Sequence, residues 1–336
     1  MIAVPVSVIG QQASGPRPID LNKDSRQILN LLDVAFGPIP RGRGQRMLIT
    51  PSAMHAGSLF GSRIGSYFGI VAPGFVWEEG GRIVGTLSLL EAHKPGRYLV
   101  ANVAVNPQYR RRGIATGLMI FTMDYIHSLG GREVLLQVER DNDAANSLYS
   151  VLNFRSLGEV NRWEATSIQL RLVASPANQD VHIRPASRRD AEAAFLLDRR
   201  CMPFDLRWPN PPEPKMYEKS LWRRFSDLLN GRKMDIWVAD APLDRSRKRR
   251  MVGLAYIESE WSRPYEIAIR VPFEQKSRIE RALLSTVVGQ IKRNQSGRLR
   301  MSHPAQDDSM TALLKEANFT VKRSLRVMHI DIDRNG

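Results

Sequence analysis

The chain has 336 residues, a length typical of about two domains. Its 43% hydrophobic and 25% charged content is that of a globular protein, and no apolar stretch approaches the roughly 20 residues that a membrane span needs. A single cysteine, Cys201, excludes internal disulfides and cysteine-based zinc sites, and the six histidines show no ligand spacing. We therefore expect a cytoplasmic protein that has no membrane partner and binds no metal.

The formal net charge of +15 makes the protein strongly basic. A basic surface attracts polyanions. However, no nucleic-acid-binding motif accompanies the charge, and heavy arginine usage through genome composition explains it equally simply. Nucleic acid is therefore not an expected partner.

A weak internal repeat divides the chain. The segment from Leu172 to Asp180 is small, polar and proline-containing, as is typical of a linker. On either side of it, landmarks recur at a constant spacing of 165 residues: Leu31–Asp33 and Leu196–Asp198, Ile114 and Ile279, Leu148 and Leu313, Asn153–Phe154 and Asn318–Phe319. The repeat predicts two copies of one fold, over residues 1–174 and 181–336.

Hydrophobic periodicity predicts the elements of the first copy in chain order. Helices are predicted over 24–36, 51–67, 113–129 and 143–152, and strands over 75–78, 82–90, 97–106 and 133–139, followed by two further strands that end near Val173. The helix over 113–129 is predicted to bury Ile114, Leu118, Phe121, Tyr125 and Leu129. In the second copy, strands are predicted over 235–240 and 251–258. The pattern indicates an α/β fold with a mostly antiparallel sheet.

One segment carries chemistry. A strand ending at Val105 leads through a turn into a helix, and the turn has the spacing Arg110-x-x-Gly113-x-Ala115. Small residues let a ligand approach the bare backbone, and the unpaired N–H groups of the first helical turn favour a pyrophosphate. A basic loop before an ordinary helix is the plainer explanation of this segment alone.

Two motifs in this order resemble those of the GNAT superfamily of acyl-CoA-dependent N-acyltransferases. Arg110-x-x-Gly113-x-Ala115 is similar to its Q/R-x-x-G-x-G/A pyrophosphate motif, and Val103–Val105 to its cofactor strand. The second motif is similar to Asn142-x-x-Ala145-x-x-Leu148-Tyr149-x-x-x-Asn153-Phe154. Asn153 replaces the usual glycine, and asparagine is the residue that best tolerates that left-handed position after glycine. The resemblance covers about residues 18–173.

The resemblance implies a tandem protein with two GNAT-like domains, each a mixed, mostly antiparallel twisted sheet flanked by helices, and acetyl-CoA as cosubstrate. It implies that acetyl-CoA contacts Val103, Ala104, Val105, Arg110, Arg111, Arg112, Gly113, Ile114, Ala115, Thr116, Asn142 and Tyr149. The N–H of Val105 would polarise the thioester carbonyl, and Tyr149 would donate a proton to the departing thiolate. For Asn142 a helix cap, and for Tyr149 a half-buried aromatic, are the structural alternatives.

The residue that deprotonates the acceptor amine is not identified. Some family members carry a glutamate four residues before the position of Val103, but here that residue is Leu99. Glu91 and His93 are substitutes on the neighbouring strand, although an exposed strand end explains both equally well.

The second copy lacks the motif residues. At the spacing of 165 residues, Gly113 corresponds to Arg278, Ala115 to Glu280, Asn142 to Asp307 and Tyr149 to Leu314. A carboxylate and long side chains at the mouth of a phosphate cradle would repel and obstruct the ligand. We therefore predict a degenerate, non-catalytic second domain that binds no acyl-CoA.

The sequence as a whole predicts an N-acetyltransferase that transfers the acetyl group to a primary amine of a small molecule by direct attack in a ternary complex. A protein or peptide amine docked by the basic second domain is one alternative. An acyl-CoA-binding sensor or adaptor without enzymatic activity is another. The sequence names no acceptor, and it leaves a homo-oligomer open.

Overall fold

The computed structural model describes residues 14–37, 73–92, 94–174, 181–202, 206, 214–218, 232–242, 249–260, 264–276, 278–294 and 297–332. The predicted helix over 51–67, His93 and residues 175–180 of the linker lie outside these ranges. Within them, the first half contains β1 Gly15–Pro18, α1 Leu21–Phe36, β2 Gly74–Glu79, β3 Arg82–Glu91, β4 Arg97–Val105, α2 Ile114–Ser128, β5 Glu133–Glu139, α3 Asp143–Val151 and β6 Arg155–Thr166. The second half contains β7 His182–Pro185, α4 Ala191–Cys201, β8 Arg232–Pro242, β9 Arg249–Glu260, β10 Tyr265–Arg270, α5 Arg278–Asn294, β11 Arg298–Pro304, α6 Asp308–Glu316 and β12 Thr320–Asp331.

The two halves share one mixed sheet, whose twelve described strands run in the order β1-β2-β3-β4-β5-β12-β6-β11-β10-β9-β8-β7. Most neighbours are antiparallel, and β4–β5 and β10–β11 are parallel. The predicted α/β class with a mixed, mostly antiparallel sheet flanked by helices is confirmed.

The last strand of each half lies in the other half. Strand β12 pairs with β5 as well as with β6, and β6 pairs with β11. The prediction of two strands between residue 155 and Val173 is therefore wrong, because β6 is one strand of 12 residues and residues 171–174 form none. The position beside β5 is taken by a strand from the end of the chain.

The repeat appears in atomic contacts as well as in element order. A Cβ at Gly85 would lie 2.8 Å from Ile114 Cγ2, and a Cβ at Gly253 would lie 2.7 Å from Ile279 Cγ2. Each glycine thus lets the following helix pack closely on its sheet. Asn153 and Asn318, at φ 63° and 68°, also occupy the same left-handed position after α3 and α6.

Helix α2 packs on the sheet through a different stripe from the one predicted. Ile114 and Leu118 are buried as expected, together with Met119, Thr122 and Ile126. Tyr125 and Leu129 remain 42% and 54% exposed. The ring of Tyr125 packs edge to face with Phe75 at the rim of the core, with 5.1 Å between ring centroids.

Candidate functional site

Strands β4 and β5 separate partway along their length. Their parallel pairing runs from Arg97 opposite Glu133 to Val100 opposite Leu136, whereas β4 continues to Val105 and β5 to Glu139. Beyond the last pair, the backbone groups of both strands that face each other lack a strand partner. We call this opening the N-half gap.

A β-bulge lies in β4 at the N-half gap. Asn102 has φ 54°, and the β3–β4 register shifts between Thr86 and Ser88 so that β4 has one extra residue. The Asn102 side chain is buried, and its Nδ2 donates to Ser88 Oγ at 3.1 Å. Sequence analysis did not identify Asn102. A polar residue that tolerates φ > 0 inside an apolar strand was the available signal.

The bulge determines which amides face the N-half gap. Asn106 N–H donates to Val84 O at 2.8 Å, and alternate residues of an antiparallel strand bond the same neighbour. Ala104 therefore faces β3, and Val105 turns its N–H and C=O toward the gap. Arg110 Nε donates to Val105 O at 3.3 Å, which agrees with this direction. The side chain of Ala104 packs in the core beneath α1.

The turn after β4 presents backbone N–H groups. Arg111 has φ 64° and Gly113 has φ 78°, whereas Arg110 and Arg112 do not have positive φ. Such alternation of backbone conformation forms a concave nest that binds anions. The first residues of α2, Ile114, Ala115 and Thr116, add N–H groups that have no intrahelical acceptor. A Cβ at Gly113 would meet nothing within 4 Å, so the space before the helix is open.

The three arginines of the turn are solvent-exposed. Arg112 donates from Nη2 to Gln108 O at 3.3 Å, and its guanidinium lies 4.9 Å from the ring centre of Tyr109. These contacts hold the turn in shape and leave its positive charge at the surface.

The second motif lies across the N-half gap, on α3. Asn142 Oδ1 accepts from Ala145 N–H at 3.1 Å. The side chain therefore caps α3, which is the structural alternative that the sequence analysis gave for this residue. Tyr149 is 5% exposed, and its ring centroid lies 5.8 Å from that of Phe154. Burial raises the pKa of Tyr149, so the phenol is protonated at neutral pH. Its hydroxyl forms no hydrogen bond with any described residue.

At Leu99 and Glu91, the two described positions that the sequence analysis considered for the base, there is no buried carboxylate. Leu99 is fully buried, and Glu91 is exposed at the end of β3. In the C-terminal half, strand register places Glu266 opposite Arg300 as Leu99 is opposite Leu135. Glu266 is thus the counterpart of Leu99, and burial raises its pKa to about 7 although Arg300 opposes the shift.

Strands β10 and β11 of the C-terminal half also pair over only part of their length, but their backbone differs from that of β4 and its turn. Its β9–β10 register is continuous from Glu258–Glu266 to Leu254–Arg270, so β10 has no bulge. Three residues separate Gln275 from Ile279, against four between Tyr109 and Ile114. None of the described residues from 264 to 294 has a positive φ, so the nest of the first half has no counterpart there.

An ion-pair strap crosses the C-terminal strand ends. Lys276 Nζ donates to Asp307 Oδ2 at 2.6 Å, and His303 Nε2 lies 2.7 Å from the same oxygen. The strap joins the turn after β10 to the start of α6. In the first half, the counterparts Arg110 and Asn142 form no such bond.

The expected position of Glu280 at the mouth of the second cradle is wrong. Glu280 is 2% exposed, and its carboxylate accepts from Ser309 Oγ at 2.8 Å. The side chain therefore ties the first turn of α5 to α6 and does not project toward a ligand.

Comparisons with known proteins agree with this geometry. Residues 66–154 match the family described as "Acetyltransferase (GNAT) family". The chain is 40% identical over 58 residues to N-alpha-acetyltransferase 30 of Schizosaccharomyces pombe, which is 17% of this chain and 39% of that protein. It is 29% identical over 136 residues to N-alpha-acetyltransferase RimI of Mycobacterium tuberculosis, which is 40% of this chain and 73% of that protein.

Solved structures share the fold over nearly the whole chain. A GCN5-related N-acetyltransferase from Sphaerobacter thermophilus has a TM-score of 0.63 at 16% identity, covering 94% of this chain and 95% of its own. A tandem GNAT protein from the clavulanic acid biosynthesis pathway has a TM-score of 0.54 at 13% identity, covering 96% and 100%. At these identities the likeness concerns the fold alone.

Residues 66–154 therefore match a GNAT acetyltransferase domain, a class whose members use acetyl-CoA as cosubstrate, and nearly the whole chain shares its fold with a tandem GNAT protein. The alignment spans well under half of the S. pombe relative. None of the described helices has the length and apolar character needed to cross a membrane. The described residues also include no group of three or more His, Cys, Asp or Glu side chains placed to hold a metal ion.

Proposed function

We propose that the N-terminal half binds acetyl-CoA and transfers its acetyl group to a primary amine by direct attack in a ternary complex. The observation that carries this proposal is the N-half gap, which opens beside the nest at Arg111–Gly113. Parted strands offer backbone partners to an extended pantetheine arm, and the nest offers N–H groups to a pyrophosphate.

The bond changes assign roles to two groups. The amine nitrogen bonds to the thioester carbon, and the Val105 N–H, directed into the gap, stabilises the oxyanion that forms. When the C–S bond breaks, the thiolate takes the proton of Tyr149, and the proton that the attacking nitrogen loses returns through solvent to the tyrosinate. A buried phenol is a weaker acid than a thiol of pKa ~8.5, so the proton moves as the bond breaks rather than before it.

The acceptor class is the finer part of the proposal. The sequence analysis predicted a small-molecule amine without naming it, but both curated relatives are named N-alpha-acetyltransferases. That observation favours the α-amino group of a polypeptide. An N-terminal amine has a pKa of ~7.7–8.0, so a sizeable fraction is neutral at pH 7 even where no strong base is present. The absence of a carboxylate at Leu99 fits such an acceptor better than a lysine-like amine of pKa ~10.4.

The C-terminal half completes the sheet and binds no acyl-CoA in this proposal. The strap between Lys276 and Asp307 closes its strand ends, and the unbulged β10 lacks the extra residue of β4. Strand β12 supplies the neighbour that β5 needs.

Two measurements test the proposal. Titration calorimetry of the full chain with acetyl-CoA should give one site per chain, and a thiol-release assay over peptides with free N-termini and small amines should give turnover. No binding of acetyl-CoA would contradict the proposal. Binding without thiol release for any amine would support the acyl-CoA sensor instead, and turnover of small amines alone would restore the small-molecule acceptor.

A further inference from the structure

A polar cavity lies where the exchanged strand meets the tip of β5. The cavity has a volume of about 200 Å³ and is lined by Glu139, Arg140, Asp141 and residues 321–324 of β12. Arg140 N–H donates to Ser324 O at 2.8 Å, which joins the turn after β5 to the exchanged strand. Residues from both ends of the chain thus form one surface directly before Asn142, which caps α3.

The charges around the cavity leave an excess of cations. Arg323 donates from Nε to the carboxylate of Glu139, which balances both. Arg140 and Lys322 are exposed and have no ion-pair partner within the described part of the chain, and Asp141 is the opposing charge. The rim therefore carries a net positive charge.

Another arginine lies beside Arg323, because Arg162 is directly opposite it in the strand register. Burial, together with the positive charges of Arg300 and Arg323, lowers the pKa of Arg162 to about 10, although Glu266 and Glu164 oppose the shift. Arg300 is paired with both of these carboxylates, so the excess of positive charge at the cavity rests on Arg140 and Lys322.

The equivalent place in the C-terminal half shows that the fold does not require these charges. Ala305 N–H donates to Glu159 O at 2.9 Å, as Arg140 does to Ser324. There, however, Gly158 and Leu157 are the counterparts of Arg323 and Lys322. A Cβ at Gly158 would lie 2.9 Å from Leu206, which belongs to a buried apolar cluster with Leu157 at its edge. Apolar side chains fill this place in the C-terminal half, whereas its equivalent beside β5 is a charged, open cavity.

We propose that the cavity lined by Arg140, Lys322 and Arg323 is an acceptor subsite for a carboxylate, and that the preferred acceptor is a polypeptide whose second residue is Asp or Glu. Strand β5 separates the cavity from the N-half gap, neighbouring strands lie about 5 Å apart, and successive residues of an extended peptide are about 3.5 Å apart. This inference rests on the proposed function, because it requires the amine to enter at the gap.

Matched peptides test the subsite. Three short peptide amides that differ only in a second residue of Asp, Asn or Lys are compared as acceptors of the full chain. We expect KM for the Asp peptide to be about 5-fold below that for the Asn peptide, with the Lys peptide weakest. The preference should shrink as salt is raised. Equal KM values for the three peptides would overturn the proposal.

Charge reversal identifies the residues. Lys322→Glu should abolish or invert the preference, whereas Lys315→Glu, an equal charge change at an exposed position on α6, should leave both the preference and the activity intact. Identical behaviour of the two variants would contradict the subsite. If no peptide is acetylated, the polypeptide acceptor of the proposed function fails. Calorimetry of the protein–coenzyme A complex then decides the subsite separately: tighter binding of the Asp peptide supports it, and equal or no binding overturns it.

Discussion

The two halves of the molecule have the same strand pairing up to Val100 in one and Ile267 in the other, and they diverge beyond that point. The first half inserts a residue in β4, with Asn102 at φ 54°, and opens its turn with Arg111 and Gly113 in positive φ. The second half keeps β10 regular and ties its strand ends together through Asp307.

Few residues separate the open cleft of the first half from the closed strand ends of the second. The sheet order, the helix packing at Ile114 and Ile279 and the left-handed Asn153 and Asn318 are common to both halves. The first half differs in having one more residue in β4, one more in the turn after β4, and the neutral cap Asn142 where the second half has the carboxylate of Asp307. Each half also holds the last strand of the other.

Separating the halves is expected to have the largest effect. A fragment of residues 1–174 loses β12, which pairs with β5 along seven residues and buries Val327 and Met328. An exposed, apolar edge at β5 favours aggregation. We expect this fragment to be insoluble or to bind no acetyl-CoA, and co-expression with residues 175–336 to restore binding. A soluble fragment that binds acetyl-CoA alone would show that the exchange is dispensable.

Gly113→Glu should abolish acetyl-CoA binding and leave the fold intact. A side chain at φ 78° is strained, and its carboxylate would stand where we place the pyrophosphate. We expect affinity to fall by more than about 100-fold in calorimetry. Arg278→Glu, the matched control in the second half, should leave affinity unchanged. Equal losses in both variants would place coenzyme A elsewhere.

Tyr149→Phe should lower kcat by about 100-fold and change the Kd for acetyl-CoA little, because general acid catalysis contributes on that order. The hydroxyl forms no hydrogen bond with any described residue, so its removal costs little stability. Tyr125→Phe, at a half-exposed tyrosine of α2, is the control. An equal loss of kcat and affinity in Tyr149→Phe would remove the proton-donor role.

The sequence predicted the class of the fold and most of its elements because periodicity and turn residues are local signals. Strand β5 and the N-terminal cap of α3 are two features that such local signals predicted. It also located the turn at Gly113, because the backbone conformation there requires glycine.

Three features depended on contacts between distant residues and were missed. The exchange of β6 and β12 is set by which edge each strand meets, and no local pattern encodes that choice. The bulge at Asn102 depends on its bond to Ser88 in the neighbouring strand. Glu280 looked like a surface charge because its partner, Ser309, lies 29 residues further along the chain.

Asp307→Asn is the smallest change that makes the second half resemble the first, since Asn142 is the counterpart. Asparagine retains the cap on Met310 N–H but removes the charge that Lys276 and His303 contact. We expect a loss of about 1–2 kcal/mol in unfolding free energy at pH 7, measured by urea titration. Acetyl-CoA should still fail to bind the second half, because the bulge and the nest remain absent there. A second binding site in calorimetry would show that the strap alone keeps that half closed.

The direction in which the pKa of Asp307 shifts determines how the effect of Asp307→Asn depends on pH. Burial by itself would raise the pKa of Asp307, but the hydrogen bonds with His303 and Lys276 outweigh it, so the pKa lies below the ordinary value. The folded state then holds fewer protons on Asp307 than the unfolded state in acid, and its contribution is complete above the unfolded pKa of ~3.9. The contribution is lost as the pH falls toward the folded pKa. The stability gap between wild type and Asp307→Asn should therefore narrow as the pH falls below about 4. A gap that stays constant into that acid range would mean that the carboxylate charge does not stabilise the strap.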